Sequence, residues 1–218
     1  MSIALFDLDN TLLGGDSDYE WGRFLVERGI VDPVAYEKAN EQFYQQYEKG
    51  ELDIFEFARF AFKPLKENPM EQLEQWREEF ISQKIQPIML AKGRAKIEWH
   101  QQRSDTVAII TATNRFVTEL IAQGFGVKHL LATEPEISAG TFTGEILGTP
   151  CFQQGKVVRL KAWLNENGHN LDDSWCYSDS HNDLPLLEQV SYPFAVDPDK
   201  TLLKIAQERE WKVVTFRD

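Results

Sequence analysis

The sequence predicts an α/β protein, a parallel sheet interrupted just after its first strand by an all-helical insert. Three observations carry this reading. Ile3, Ala4, Leu5 and Phe6 form an unbroken apolar run ending at Asp7, as expected of a strand buried on both faces. From residue 92 onward, short apolar runs alternate with helical patterns, which implies parallel strands joined by right-handed helical crossovers. Between these, residues 16–85 carry helical periodicity and no strand. A chain of 218 residues accommodates a core built from residues 1–14 and 88–218 and an insert over 15–87.

Gly14, Gly15 and Asp16 break the first strand, and the two glycines suit a hinge, as does the segment 87–91. Residues 17–29 read as a helix with Trp21, Phe24, Leu25 and Val26 on its apolar face. Asp32 followed by Pro33 starts a second helix that reaches about Tyr47. Asp53 caps a third, carrying Phe55, Phe57, Phe60 and Phe62 and stopped by Pro64. Asn68 and Pro69 start a fourth, with Leu73, Trp76, Phe80 and Ile81 on one face. These aromatics are those of a helical bundle core, with a few facing the sheet free to select a substrate. Beyond the insert, helices are expected at 93–103, 114–123, 155–167, 183–189 and 199–210. Strands are expected at 106–110, 127–132, 175–178, 192–196 and 212–216, with a hairpin at 136–147.

A hydrophobic fraction of 42% is ordinary for a folded domain. A net charge of −12 argues against a nucleic-acid partner, which needs a basic face. Cys151 and Cys176 lie in no metal-binding spacing and read as free thiols of a reducing, cytoplasmic compartment. No signal peptide or integral membrane segment is expected, because no basic leader and no long uncharged apolar run is present. Oligomeric state is not legible.

The chemistry concentrates at strand ends. Asp7 closes the first strand and Asp9 lies two residues on, at the edge where open α/β sheets bind ligands. Two carboxylates this close raise each other's pKa unless a cation lies between them. Mg²⁺ is the hard ion that favours such oxygens, although Asp at this spacing also serves turns and caps. Thr111 ends the second strand at a helix N-terminus, a place for phosphate or for an ordinary cap. Lys156 follows Gly155 and could neutralise phosphoryl oxygens or sit in solvent. Asp179 and Asp183 follow the fourth strand, and parallel strands would bring them to the first pair. His181 has no legible role.

Together Asp7-Leu8-Asp9-Asn10-Thr11, Thr111, Lys156 and Asp179-Ser180-His181-Asn182-Asp183 resemble the four motifs of the haloacid dehalogenase superfamily, in that family's order. The chain is similar to its subfamily IB, the phosphoserine-phosphatase-like branch, with a Rossmann-like core and a helical C1 cap. Strings at 112–115, 150–152 and 177–187 look like a bacterial subgroup described as histidinol-phosphatase-like. Ser178 and Ser180 stand where that family has glycines, and Ala112 and Thr113 where it often has Gly-Gly. The resemblance implies a Mg²⁺-dependent hydrolase of a small phosphomonoester such as histidinol phosphate or a phosphoserine-like ester. It implies Asp7 as nucleophile, Asp9 as acid and base, and Thr111 and Lys156 on the phosphoryl oxygens. Asp7, Asp179 and the backbone carbonyl of Asp9 would hold the metal, and Asp183 would orient Lys156 or a metal-bound water. Backbone amides near Leu8 and Ala112, together with Thr113 and Asn182, would complete the substrate site. Asp16 stands about where phosphoserine phosphatases carry a Glu facing the substrate amine, but no arginine of the insert is identifiable as a companion. The alternatives are a lipid phosphatase of the phosphatidylglycerophosphate type and a non-catalytic phosphate-binding protein.

Overall fold

The structure, a computed structural model, describes residues 2–217. β1 (Ile3–Phe6) is buried along its whole length. The insert follows as α1 (Ser17–Glu27), α2 (Pro33–Glu48), α3 (Ile54–Ala61), α4 (Lys63–Glu67) and α5 (Met70–Phe80). Asp16, Asp32 and Asp53 cap α1, α2 and α3 by accepting backbone N–H bonds. A π-helical turn (Ile81–Ile85) and a 3-10 turn (Gln86–Ile88) lead out of the insert. Then come α6 (Ala91–Gln102), β2 (Thr106–Asn114), α7 (Arg115–Gly124), β3 (His129–Thr133) and a hairpin of β4 (Pro135–Ser138) and β5 (Thr141–Ile146). The chain ends with α8 (Gln154–Asn167), β6 (Trp175–Ser178), α9 (Leu184–Leu187), β7 (Tyr192–Val196), α10 (Lys200–Glu208) and β8 (Lys212–Val214).

Six strands form one sheet in the order β3-β2-β1-β6-β7-β8, every neighbouring pair parallel. The chain winds outward from β1 to β3, then returns to the other side of β1 as β6. Loops leaving β1 and β6 therefore diverge, and such a switch point opens a crevice at the strands' carboxyl ends. Asp7 follows β1 and Asp179 follows β6 at that point. Alternation along β1 divides its side chains between two cores. Ile3 and Leu5 join Leu160, Leu186 and Leu202 on one face. Ala4 and Phe6 join Ile97, Ile121 and the insert's Trp21, Phe24 and Phe80 on the other. One apolar run thus fixes the sheet on both sides. Among the described residues no helix is long and apolar enough to cross a membrane.

Several boundaries differ from the sequence expectation. β2 runs past residue 110 to Asn114, and its register with β3 shifts between Ile110 and Asn114. Asn114 nonetheless caps α7, accepting from the Val117 amide at 3.0 Å. β3 starts at His129 rather than 127, because the Val127 amide closes α7 on the Ala122 carbonyl. Pro64 opens α4 as well as ending the helix before it, a position where its missing N–H costs nothing. The expected helix at 183–189 is a 3-10 turn (His181–Asp183) followed by the single turn of α9. The last strand stops at Val214 rather than 216. The two linkers between sheet and insert lie side by side: Leu13 and Met89 form an antiparallel bridge, and the Gly14 amide donates to the Ile88 carbonyl at 2.7 Å.

Gly155 sets where Lys156 starts. A Cβ at Gly155 would stand 2.0 Å from the Pro150 carbonyl oxygen, a backbone atom with no room to yield. Gly155→Ala is expected to cost about 1–3 kcal/mol and to lower Tm by roughly 2–4 °C per kcal/mol in a chain of this size. Thermal unfolding measures it, and a Tm equal to or above that of the parent would contradict the packing described.

Candidate active site

The loop after β1 builds the first half of the site. The Asp7 amide donates to the Tyr177 carbonyl at 2.9 Å, which extends the ladder by one residue and fixes Asp7 beside β6. Asn10 then takes the left-handed conformation (φ 57°), which Asn tolerates better than most residues. Leu12 and Leu13 amides fold back onto the Leu8 carbonyl. This tight turn returns Thr11 to the strand end. Its hydroxyl donates to Asp179 Oδ1 at 2.9 Å, lies 3.3 Å from Asp7 Oδ2, and accepts from the Asp179 amide at 3.1 Å.

Lys156 comes from the first turn of α8 and is only 3% exposed. Its ammonium donates to Asp7 Oδ1 and to Asp183 Oδ2, each at 2.7 Å. The Ser178 hydroxyl donates to the same Asp183 oxygen at 2.8 Å. Asp9 turns the other way. Its Oδ1 accepts from the Ser17 amide at 2.6 Å, and its Oδ2 accepts from the Thr113 hydroxyl at 2.8 Å with Thr111 Oγ1 at 3.3 Å. The Thr113 amide in turn donates to Thr111 Oγ1 at 3.2 Å.

Four carboxylates, Asp7, Asp9, Asp179 and Asp183, are set against one ammonium. Burial pushes Asp7 up to about 7; Lys156 pulls it down, while Asp183 and Asp9 push it further up. Burial, then the charge of Asp16, raises Asp9 to about 6, against the hydrogen bonds from Ser17 and Thr113. Burial and the Asp7 charge hold Asp179 well above the usual carboxylate range. Burial opposes the Lys156 charge, but Asp183 and Asp7 outweigh it and keep the ammonium firmly protonated. The donor chemistry suits Mg²⁺: hard oxygens, excess negative charge, and two carboxylates converging on one hydroxyl. Among the described residues no three His, Cys, Asp or Glu side chains form a metal cluster by themselves. With the Asp9 side chain turned away, a metal at this place would take two carboxylates and fill its shell with backbone oxygen and water.

The other predicted residues occupy varied positions. Ala112 and Thr113 line the chamber above Asp7 and Asp9. The Leu8 side chain is wholly buried in the core, so only its backbone could serve a substrate. Asp16 lines the chamber while its Oδ1 accepts from the Asp18 and Tyr19 amides, each at 2.9 Å. Both ends of the Asn182 amide are engaged: Oδ1 accepts from Gln153 Nε2 at 2.9 Å and Nδ2 donates to the Tyr47 carbonyl at 3.1 Å. His181 is held by Asp199, which accepts its amide at 2.7 Å and lies 2.8 Å from its Nδ1. No site role was assigned from the sequence to Thr11, Ser178, Asp18, Tyr47 or Phe152. Thr11 was visible in the signature string; Tyr47 was hidden by the ordinary helical spacing of α2, and Phe152 lies in an irregular turn before α8.

The chain is similar to known proteins over most of its length. The family model described as haloacid dehalogenase-like hydrolase matches residues 4–188. A histidinol-phosphatase of Neisseria meningitidis is 40% identical over 220 residues, covering 99% of both chains. A phosphoserine phosphatase of Mycobacterium tuberculosis is 30% identical over 219 residues, 99% of this chain and 71% of that one. A solved structure from Bordetella pertussis, a protein described as of unknown function, is 43% identical with a TM-score of 0.93 over 99% of both chains. A substrate-bound phosphoserine phosphatase shares the fold at 18% identity, with a TM-score of 0.72 over 99% of this chain and 93% of that one. The chain belongs to the haloacid dehalogenase-like hydrolase family. Within it, the chain is an enzyme of the phosphatase kind, a hydrolase of phosphomonoesters.

The raised Asp7 predicts a pH dependence. Its folded value, about 7, exceeds the ordinary 3.8, so folding favours the protonated form. That stability is complete below pH 3.8 and is lost as pH rises toward about 7. In a chelator, the stability of the parent relative to Asp7→Asn is therefore expected to fall as pH rises from 4 to 8. Thermal unfolding across that range measures it; a parent that gains on the variant as pH rises would contradict the stated balance of burial against Lys156.

Proposed function

We propose that this chain is a Mg²⁺-dependent hydrolase of a small phosphorylated metabolite, working through an aspartyl-phosphate on Asp7. The observation that carries the reading is the buried Lys156 ammonium, 2.7 Å from both Asp7 and Asp183, at the strand ends where Asp179 and Thr11 also converge. Its charge is matched by those two carboxylates and stands at the oxygen that would attack phosphorus. An incoming phosphoryl group at Asp7 would supply more negative charge for it to hold.

An Asp7 oxygen attacks phosphorus while the bond from phosphorus to the leaving alcohol oxygen breaks. Asp9, raised to about 6, gives that oxygen its proton and so becomes the base for the second step. It then takes a proton from the water whose oxygen attacks the aspartyl-phosphate, and Asp7 and inorganic phosphate are released. Thr111, Lys156 and backbone amides near Leu8, Ala112 and Thr113 hold the phosphoryl oxygens. When bound, Mg²⁺ would be held by Asp7, Asp179 and the Asp9 carbonyl and would screen nucleophile from phosphate. Accelerations of up to ~10²¹ are known for monoester hydrolysis, so positioning and charge neutralisation carry most of the effect.

Residues 15–87 act in this reading as a cap over a core of 1–14 and 88–218, closing on the paired linkers and excluding water. The name of the Neisseria relative makes histidinol phosphate the first candidate substrate, and that of the Mycobacterium relative makes a phosphoserine-like ester the second. The two free, buried thiols, Cys151 and Cys176, fit a reducing cytoplasm. An aryl phosphate should turn over with Mg²⁺. Asp7→Asn should abolish turnover, and Lys156→Ala should lower kcat by about 10²–10³. Steady-state assays decide it; an active Asp7→Asn enzyme would remove Asp7 as nucleophile.

A further inference from the structure

The chamber has two unlike ends. Its floor is the site just described. The wall given by the insert carries Phe43 and Tyr44 of α2 and Phe57 of α3, together with Asp16, the cap of α1, and Asp18 in its first turn. The chamber has a cavity volume of about 90 Å³, which limits it to small ligands. Lys156 is the one basic residue among its lining residues, and its ammonium is committed to Asp7 and Asp183.

The two wall carboxylates differ. Asp16 Oδ1 already accepts two backbone N–H bonds as the cap of α1. The Asp18 carboxylate has a distant contact from Asn114 Nδ2, at 3.5 Å. Among the described residues no Lys or Arg forms an ion pair with either. Both lie beside the reacting end, because the Ser17 amide between them donates to Asp9, the residue that protonates the leaving oxygen.

We propose that the leaving group accepted here carries a positive charge on an apolar or aromatic body and no carboxylate, with Asp18 as the residue that selects the charge. This rests on the phosphatase reading above. A protonated amine or imidazolium in the chamber would meet Asp18 and Asp16 on one side and ring faces on the other, both of which attract cations. Burial, with Asp16 and Asp9 nearby, pushes the Asp18 carboxyl well up, and an opposite charge beside it would favour its ionised form. A carboxylate on the leaving group would face those same acids with no free ammonium or guanidinium on the wall. The chamber therefore separates the two substrate classes named for the relatives: an amino alcohol ester fits, and an amino acid ester does not.

Matched esters test this. Phosphoethanolamine and phosphoserine differ by one carboxylate, 2-hydroxyethyl phosphate replaces the amine with a neutral group, and histidinol phosphate adds an imidazole. With Mg²⁺, kcat/KM is expected to fall in the order histidinol phosphate, phosphoethanolamine, 2-hydroxyethyl phosphate, phosphoserine, spanning about 10²-fold or more. Asp18→Asn, which keeps the shape of the side chain, should cut the ratio of kcat/KM for phosphoethanolamine over 2-hydroxyethyl phosphate by about 10-fold, mainly through KM. Phosphoserine turned over as well as phosphoethanolamine, or a ratio unmoved by Asp18→Asn, overturns this inference and leaves the phosphatase reading standing. Failure of every ester, an aryl phosphate included, overturns both.

Discussion

The structure depends on one buried ion arrangement: a single ammonium, Lys156, bonded at 2.7 Å to Asp7 and to Asp183, in a site that holds two more carboxylates. A buried charge is tolerable only when paired and hydrogen-bonded, and here the pairing joins three distant parts of the chain. β1 delivers Asp7, α8 delivers Lys156, and the turn after β6 delivers Asp183. The sheet's reversal of strand order between β1 and β6 makes that meeting possible. The remaining acids are left short of positive charge, which is the physical reason that a divalent cation suits the place and would have to offset the charge of any phosphoryl group there.

The serines that depart from the family's glycines have a use in this chain. Ser178 donates to Asp183 and accepts the Ser180 amide at 3.2 Å. Ser180 accepts the Asn182 amide and the Tyr47 hydroxyl, each at 3.2 Å. Asn182 and Gln153 reach the insert as well, through the Tyr47 and Gly50 carbonyls at 3.1 and 3.2 Å. The loop that carries Asp179 and Asp183 is thereby fastened to the insert by side chains that glycine could not supply. The insert and the acidic loop are joined at these bonds.

Much of this was legible in the sequence, for reasons that differ by element. The run Ile3–Phe6 announces a doubly buried strand, and a parallel sheet brings strand ends together, so Asp7 and Asp179 could be picked by position, whereas Lys156, in the first turn of α8, was picked by its place in the motif order. Thr11 sat in plain view, yet its bridging of Asp7 and Asp179 needs the left-handed Asn10 that no spacing rule supplies. The insert's aromatics mark apolar faces without saying what each face meets. Phe62 packs in the core, while Phe43 and Phe57 line the chamber, and the helical period is the same for both. Asp18 reads as an ordinary first-turn acid of α1 until the fold sets it beside Asp16 in the chamber wall. The π turn at Ile81–Ile85 left no mark, since its apolar residues continue the spacing of α5.

The most direct measurement is to mix enzyme, Mg²⁺ and an aryl phosphate, quench in acid within a turnover, and locate the phosphoryl group by peptide mass mapping. A phosphoryl group on Asp7 alone is expected. Turnover with the phosphoryl group on another residue, or on none, would contradict the central claim that Asp7 is the atom donor around which this site is built.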